Sequence, residues 1–222
     1  DIIHGGDGSG STGDALYGDV SGRLDNTAHG GNDTIYGGAA NDTIVGDAGD
    51  RIKDSATGGN DIIDGGAGND TIYGDTVGEL KDSATGGNDI IHGGAGNDTI
   101  YGDTAGQLRD SAHGGNDTIY GDAGNDTIYG DSAGGDNGLG GNDWIDGGSG
   151  ADTIYAGSGN DTIVYDSSDV LIDGGAGTDT LLMNSSGLIT FTNVQHIEKV
   201  DMANGLTNTV AITAQDVLNI GA

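Results

Sequence analysis

Two stretches of the chain are near-copies: GGNDIIDGGAGNDTIYGD from Gly58 to Asp75 and GGNDIIHGGAGNDTIYGD from Gly86 to Asp103. A unit this short cannot bury an apolar face alone, so the copies must stack on one another to make a core. GGN begins at Gly30, Gly58, Gly86 and Gly114, at intervals of 28, and again at Gly140 after 26. Within each unit two aspartates stand nine apart: Asp33 and Asp42, Asp61 and Asp70, Asp89 and Asp98, Asp117 and Asp126, Asp143 and Asp152. Asp161 follows after nine more and Asp179 after a further 18. Two residues beyond each comes an aliphatic: Ile35, Ile44, Ile63, Ile72, Ile91, Ile100, Ile119, Ile128, Ile145, Ile154, Ile163 and Leu181.

The underlying nonapeptide is G-G-x-G-x-D-x-U-x, with U aliphatic. Four turns match it in full: Gly65–Asp70, Gly93–Asp98, Gly147–Asp152 and Gly174–Asp179. Others miss by one place, such as GDAGND at Gly121–Asp126. In x-U-x the middle side chain points one way and its neighbours the other, the period of a short strand. Glycines allow positive φ and let carbonyls converge without an intervening Cβ. Each strand and turn therefore makes half a coil. The expected fold is all-β, a parallel β-roll or solenoid with 18 residues per coil and a thin aliphatic stack between two sheets.

The remaining interval carries its own signal. Leu24, Ile52, Leu80 and Leu108 recur every 28 residues, and Ala28, Ala56, Ala84 and Ala112 keep the same phase. Polar flanks point to a third half-buried strand; the rival is a surface loop with its aliphatic folded back. With increments of 9, 8 and 11, two units are expected to make three coils. Arg23, Arg51, Lys53, Lys81 and Arg109, five of the six bases, fall here. Their expected role is to soften repulsion among neighbouring acids.

Composition narrows the function. Thirty-six acids oppose six bases for a net charge of −30, and only 33% of residues are hydrophobic. Without the repeat such a chain would be assigned to disorder. The charge disfavours nucleic acid and anionic membrane faces as partners and favours cations. No apolar run approaches a membrane span of about 20 residues. Cysteine is absent, so thiolate chemistry is excluded. The five histidines are scattered: His29 and His113 stand where Thr57 and Thr85 stand, and no H-E-x-x-H or G-x-S-x-G occurs. No enzymatic activity is expected of this chain.

Turns of glycine and aspartate offer hard oxygen donors, which suit Ca²⁺ better than zinc or copper. Mg²⁺ fits less well, because it keeps its waters. Asp70, Asp98, Asp152 and Asp179 are the foremost candidate ligands. Asp33, Asp42, Asp61, Asp89, Asp117, Asp126, Asp143 and Asp161 follow. Asp19, Asp47, Asp75 and Asp103 repeat every 28 residues and read equally as ligands or turn formers. Thr71, Thr99 and Thr127, with Tyr73, Tyr101 and Tyr129, form outward ladders whose plain reading is cross-strand support. A carbohydrate- or ice-binding face is the lesser alternative, and Trp144 marks a further outward position.

From Asp14 to about Asp179 the chain resembles RTX (repeats-in-toxin) proteins, through GGAGND, GGSGAD and GGAGTD followed by an aliphatic. The resemblance implies a calcium-folded β-roll, exported unfolded by type I machinery and folding in extracellular calcium. It implies ligation by the sixth-place carboxylate and by carbonyls near the glycines. On this chain those are Gly65, Gly66 and Gly68 with Asp70; Gly93, Gly94 and Gly96 with Asp98; Gly147, Gly148 and Gly150 with Asp152; and Gly174, Gly175 and Gly177 with Asp179. Less complete turns add Gly121 and Gly124 with Asp126, and Gly157 and Gly159 with Asp161. The 28-residue unit departs from the family's plain 18-residue coil.

Asp1–His4 matches Asp89–His92, so the chain reads as a piece of a longer array. Residues 1–179 are expected to form the calcium array and 180–222 a capping segment of metal-free coils. TAQD at Thr213–Asp216 resembles a capping box opening a short helix through Ile220. NTVAITAQDVLNI resembles segments that follow RTX repeats in large bacterial surface adhesins. The expected context is thus a secreted, monomeric, cell-surface adhesin module, with the tail of a secreted protease, lipase or epimerase as alternative. Any cell-surface or carbohydrate partner is expected to bind through other domains.

Stacked aspartates at about 4 Å repel by about 1 kcal/mol per pair in water and roughly 4 at an effective dielectric of 20. Over a whole ladder that approaches the ~5–15 kcal/mol stability of an ordinary domain. In excess chelator at neutral pH, far-UV circular dichroism should therefore show an unfolded chain. A cooperative strand signal under those conditions contradicts this.

Overall fold

The computed structural model describes residues 1–6, 13–137, 139–184, 186, 188–202 and 209–211. Two long parallel sheets dominate it, of nine and eight strands. The first runs through Ile62–Ala67, Ile90–Ala95, Thr118–Ala123, Trp144–Asp146 and Thr162–Val164, ending at Lys199–Asp201. The second runs through Thr71–Tyr73, Thr99–Tyr101, Thr127–Tyr129 and Thr153–Tyr155, ending at Val194–Gln195. Each T-I-Y strand places its central isoleucine inward, and Ile35, Ile44, Ile63, Ile72, Ile91, Ile100, Ile119 and Ile128 are fully buried. The expected parallel β-roll is the observed fold, and no helix occurs among the described residues. The helix expected over residues 213–220 lies outside them.

The coil count differs from expectation. Ile63 pairs with Ile91 and Ile91 with Ile119, while Ile72 pairs with Ile100 and Ile100 with Ile128. One 28-residue unit is therefore one coil, and two units do not make three. Parallel in-register stacking of near-identical copies sets Ile on Ile and Tyr on Tyr, which no other register does. Past Ile119 the step falls to 26, at Ile145, and then to 18, at Ile163 and Leu181.

The long coil is the short one with an excursion in one turn. Gly65 and Asp70 are five residues apart, and a methyl on Gly65 would lie 2.7 Å from Asp70 Oδ2. Gly74 and Asp89 are fifteen apart, yet a methyl on Gly74 would lie 2.3 Å from Asp89 Oδ2. Glycine and aspartate stand in the same relation, with ten residues interposed. The excursions stack on one another: Arg23–Leu24 pairs with Arg51–Ile52, and bridges join Ile52 to Leu80 and Leu80 to Leu108. The third strand is thus present, and the loop alternative is discarded.

Leu24, Ile52, Leu80 and Leu108, with Ala48, Ala56, Ala84 and Ala112, form a second hydrophobic core separate from the main one. Asn26, Asp54, Asp82 and Asp110 turn the excursion with φ near +63°, at 63°, 63°, 64° and 62°. This left-handed region is one that Asn and Asp tolerate better than bulkier residues. The bases lie among the acids as expected: Arg23 on Asp25 at 3.0 Å, Lys53 on Asp54 at 2.9 Å and Arg109 on Glu79 at 3.2 Å.

Leu80→Ala should destabilise the folded chain by about 2–5 kcal/mol, the range for emptying a buried leucine site. Denaturant unfolding at saturating calcium measures it. A loss within about 0.5 kcal/mol, as for a surface residue, contradicts the second core.

Candidate metal centre

The two turns of each coil line opposite edges of the roll, and each carries a row of aspartates. On one edge the backbone N–H of each aspartate donates to Oδ1 of the aspartate one coil on. Asp33 donates to Asp61, Asp61 to Asp89 and Asp89 to Asp117, all at 2.8 Å. The row continues from Asp117 to Asp143 at 2.9 Å, to Asp161 at 2.8 Å and to Asp179 at 2.9 Å. On the other edge Asp42 donates to Asp70 and Asp70 to Asp98 at 2.7 Å, then Asp98 to Asp126 and Asp126 to Asp152 at 2.8 Å. The neighbouring asparagines zip the opposite way: Asn88 N–H donates to Asn60 at 2.8 Å and Asn116 to Asn88 at 2.7 Å. The N-D dipeptide thus locks adjacent coils in both directions.

These bonds consume one carboxylate oxygen and strand the other. In Asp33, Asp42, Asp61, Asp70, Asp89, Asp98, Asp117, Asp126, Asp143, Asp152, Asp161 and Asp179, Oδ2 is buried without a hydrogen-bond partner. A buried acceptor left unsatisfied costs about 1–3 kcal/mol, and a charged one more. A dozen such atoms in register cannot be a tolerated defect. They form two rows of unsatisfied acceptors, one along each edge.

The glycines shape the turns around these oxygens. A methyl on Gly93 would lie 2.8 Å from both Asp98 Oδ2 and the carbonyl oxygen of Gly121, one coil on. Gly66 at φ 95° and Gly94 at φ 98° carry the left-handed turn, as do Gly148 at 88° and Gly175 at 89°. A methyl on Gly66 would sit 2.2 Å from the carbonyl oxygen of Gly38. Where the pattern reads GDAGND, Asp122 adopts φ 68° in the second glycine's place. The third glycines Gly68, Gly96, Gly124, Gly150, Gly159 and Gly177 all have positive φ, and so does Gly157. Among the described residues no three His, Asp or Glu side chains cluster as a ready-made metal site. The donor set that fits is instead one carboxylate per turn with backbone carbonyls from stacked coils, which suits a large oxygen-seeking cation.

Burial is the first cause of raised pKa values along both rows. Asp61, Asp126 and Asp161 are pushed up to about 7, and Asp70 and Asp179 to about 6. Asp89, Asp117 and Asp143 lie well above the usual carboxylate range, with neighbouring carboxylates adding to the effect.

The structure brings every aspartate proposed from the nonapeptide pattern into one row or the other. The rows also extend to two residues that the pattern missed. Asp169 accepts from Asp152 N–H at 3.4 Å, and Glu198 from Asp179 N–H at 2.8 Å. They stand 17 and 19 residues on rather than 18, which hid them from a fixed-period reading. Two of the histidines have partners outside the rows: His29 bonds Thr57 at 2.6 Å, and His92 stacks on Tyr120. The tyrosine ladder is a continuous stack, Tyr73, Tyr101, Tyr129 and Tyr155, with centroids 5.0–5.1 Å apart.

The model of the RTX calcium-binding nonapeptide repeat family matches residues 27–52, 55–76, 83–104, 111–133 and 137–169. Comparison with curated proteins and with solved structures gives no match.

The raised carboxyl pKa values set a pH dependence for the calcium-free chain. The fold holds protons that the unfolded chain, with carboxyls near 3.8, releases. Stability from these groups is fully present below about 4 and is lost as pH rises through about 7. In chelator, acidification from pH 8 towards 4 should restore strand signal in circular dichroism. No gain across that window contradicts the buried rows.

Proposed function

The chain belongs to the RTX calcium-binding nonapeptide repeat family and is a calcium-binding structural module of a secreted bacterial protein; from that premise we propose that it is a folding switch thrown by extracellular calcium. The observation that carries this reading is the pair of buried aspartate rows with one unpartnered oxygen on each member. The proposed ligands are the Oδ2 atoms of Asp33, Asp42, Asp61, Asp70, Asp89, Asp98, Asp117, Asp126, Asp143, Asp152, Asp161 and Asp179. Carbonyls of the turn glycines join them: Gly65, Gly66, Gly68, Gly93, Gly94, Gly96, Gly121, Gly124, Gly147, Gly148, Gly150, Gly157, Gly159, Gly174, Gly175 and Gly177.

Bound calcium supplies the positive charge that lets these carboxylates ionise inside the roll. The chain's own part is positional. Aspartate Oδ1 ties coil to coil, the glycines keep side chains out of the turns, and the isoleucine stack sets the coil spacing. Before calcium is met, repulsion along the rows keeps the chain extended, a state compatible with passage through a narrow export channel. After it is met, binding energy becomes folding energy. Residues 1–179 form the responsive array in this reading, and residues 180–222 cap it.

For the parent protein we favour a large surface adhesin over a secreted enzyme, on the resemblance of Asn208–Ile220 to segments that follow such repeats in adhesins. The full sequence of the parent protein separates the two, since an enzyme carries a catalytic domain in the same polypeptide.

Calcium titration followed by calorimetry and circular dichroism tests the switch. Heat and strand signal should rise together, with several ions per chain and a midpoint of about 10⁻⁴–10⁻³ M, the range of extracellular calcium modules. Calcium uptake with no change in strand signal overturns it.

A further inference from the structure

The two edges of the roll are not chemically equal. At Gly65–Asp70 and Gly93–Asp98 a turn brings one buried carboxylate. On the other edge, where the excursion interrupts the turn, the chain reads Gly74-Asp75 and Gly102-Asp103 before leaving, then returns at Gly86–Asp89 and Gly114–Asp117. An aspartate stands where the uninterrupted turn has its second glycine. Asp47, Asp75 and Asp103 are completely buried and Asp131 is 1% exposed, in residues that lead out of the main core towards the excursion core.

Members of this extra row differ in how they are satisfied. Both oxygens of Asp47 accept from Gly59 N–H, at 3.0 Å each. Asp131 accepts from Gly141 N–H at 2.6 Å and from Ser158 N–H at 2.8 Å. Asp75 and Asp103 each accept one bond through Oδ1, from Gly87 and Gly115 at 2.7 Å. Their Oδ2 atoms receive no N–H or O–H bond, as with Asp89 and Asp117 on the returning limbs, and the carboxyls of Asp47, Asp75 and Asp103 touch one another along the row.

The limbs face each other closely. A methyl on Gly74, beside Asp75, would lie 2.3 Å from Asp89 Oδ2, and one on Gly86 would lie 2.3 Å from Asp75 Oδ2. The next coil repeats this: a methyl on Gly102 would lie 2.4 Å from Asp117 Oδ2, and one on Gly114 would lie 2.2 Å from Asp103 Oδ2. At the exposed first coil both rows border Gly31, whose N–H donates to Asp19 Oδ2 at 2.7 Å. Oδ1 of Asp19 and both carboxylate oxygens of Asp33 lie 3.4, 3.7 and 3.8 Å from the point a methyl on Gly31 would occupy.

We infer that Asp75 and Asp103 are additional calcium ligands, each joining the facing nonapeptide aspartate, Asp89 or Asp117, in a site of two buried carboxylates; on the opposite edge the acid in the equivalent place, Asp122, is 40% exposed. The inference rests on the calcium reading of the nonapeptide turns and adds to it a second, tighter class of site. A second carboxylate raises the negative charge on the ion, and ligand charge count is what spreads calcium affinities over orders of magnitude. The excursion gains a purpose on this account. Its ten residues leave room for the extra acid, and its own small core closes the site from solvent.

Asp75→Asn and Asp103→Asn, alone and together, provide the test, because a structural role and a ligand role predict opposite signs. Asparagine keeps the acceptor for Gly87 or Gly115 N–H while removing a buried charge. If the row is merely structural, the variants should fold at equal or lower calcium than the parent chain. If it ligates, the calcium midpoint of folding should rise by about tenfold, a change in ligand charge count being able to produce that or more, and bound calcium per chain should fall. A midpoint unchanged or lowered, with stoichiometry intact, overturns the inference while leaving the nonapeptide sites standing. Absence of calcium binding by the unaltered chain overturns both. Should a variant fold at no calcium concentration, radiocalcium release from the folded unaltered chain decides. Slow and fast classes support two kinds of site, and a single rate overturns them.

Discussion

Burial of half-satisfied carboxylates is the constraint on which the rest of this structure depends. Each nonapeptide aspartate uses Oδ1 to receive the N–H of the coil before it, which fixes coil spacing and leaves Oδ2 inside without a partner. Without a cation this arrangement is self-opposing. The same carboxylates that tie the coils together repel along the row, and burial holds their protons into the neutral range. The glycine-rich turns follow from that requirement, since any Cβ at Gly65, Gly74 or Gly93 would occupy space within 3 Å of the stranded oxygen. The core is thin, one buried aliphatic per strand, with the coils also tied at both edges by the aspartate and asparagine rows.

The excursion shows how a repeat protein can enlarge its coil without changing its sheets. Ten residues enter one turn, and the strands on either side keep the register of identical residues. The insertion is stable because it repeats: Leu80 rests on Ile52 and Leu108 rests on Leu80, so each copy supplies the next one's core. At Gly140 the excursion shortens, and beyond Asp143 the coil returns to 18 residues, with Ser158 N–H now bonded to the last member of the extra aspartate row.

Much of this was legible in the sequence because its cause is periodic. The x-U-x alternation fixed which face each isoleucine takes, and the N-D spacing placed every nonapeptide aspartate at an edge. The third strand was legible for the same reason, through the constant spacing of Leu24, Ile52, Leu80 and Leu108. The coil length was not. Increments of 9, 8 and 11 look like three half-coils, and only strand pairing shows that the 8 and 11 together make one interrupted turn. Asp169 and Glu198 escaped because their spacing slips by one residue, which a row of hydrogen bonds tolerates and a strict period does not. The state of Asp75 and Asp103 was equally hidden. Whether a turn aspartate is solvated or sealed depends on the second core, which exists only once the coils are stacked.

Crystals grown at millimolar calcium would locate the ions through their anomalous scattering. A row of anomalous peaks should run along each edge, within about 2.3–2.6 Å of aspartate Oδ2 and turn carbonyl oxygens, the distances of calcium–oxygen bonds. A folded roll whose Oδ2 atoms meet only water or protonated neighbours, with no peaks along the edges, would contradict calcium ligation by the aspartate rows.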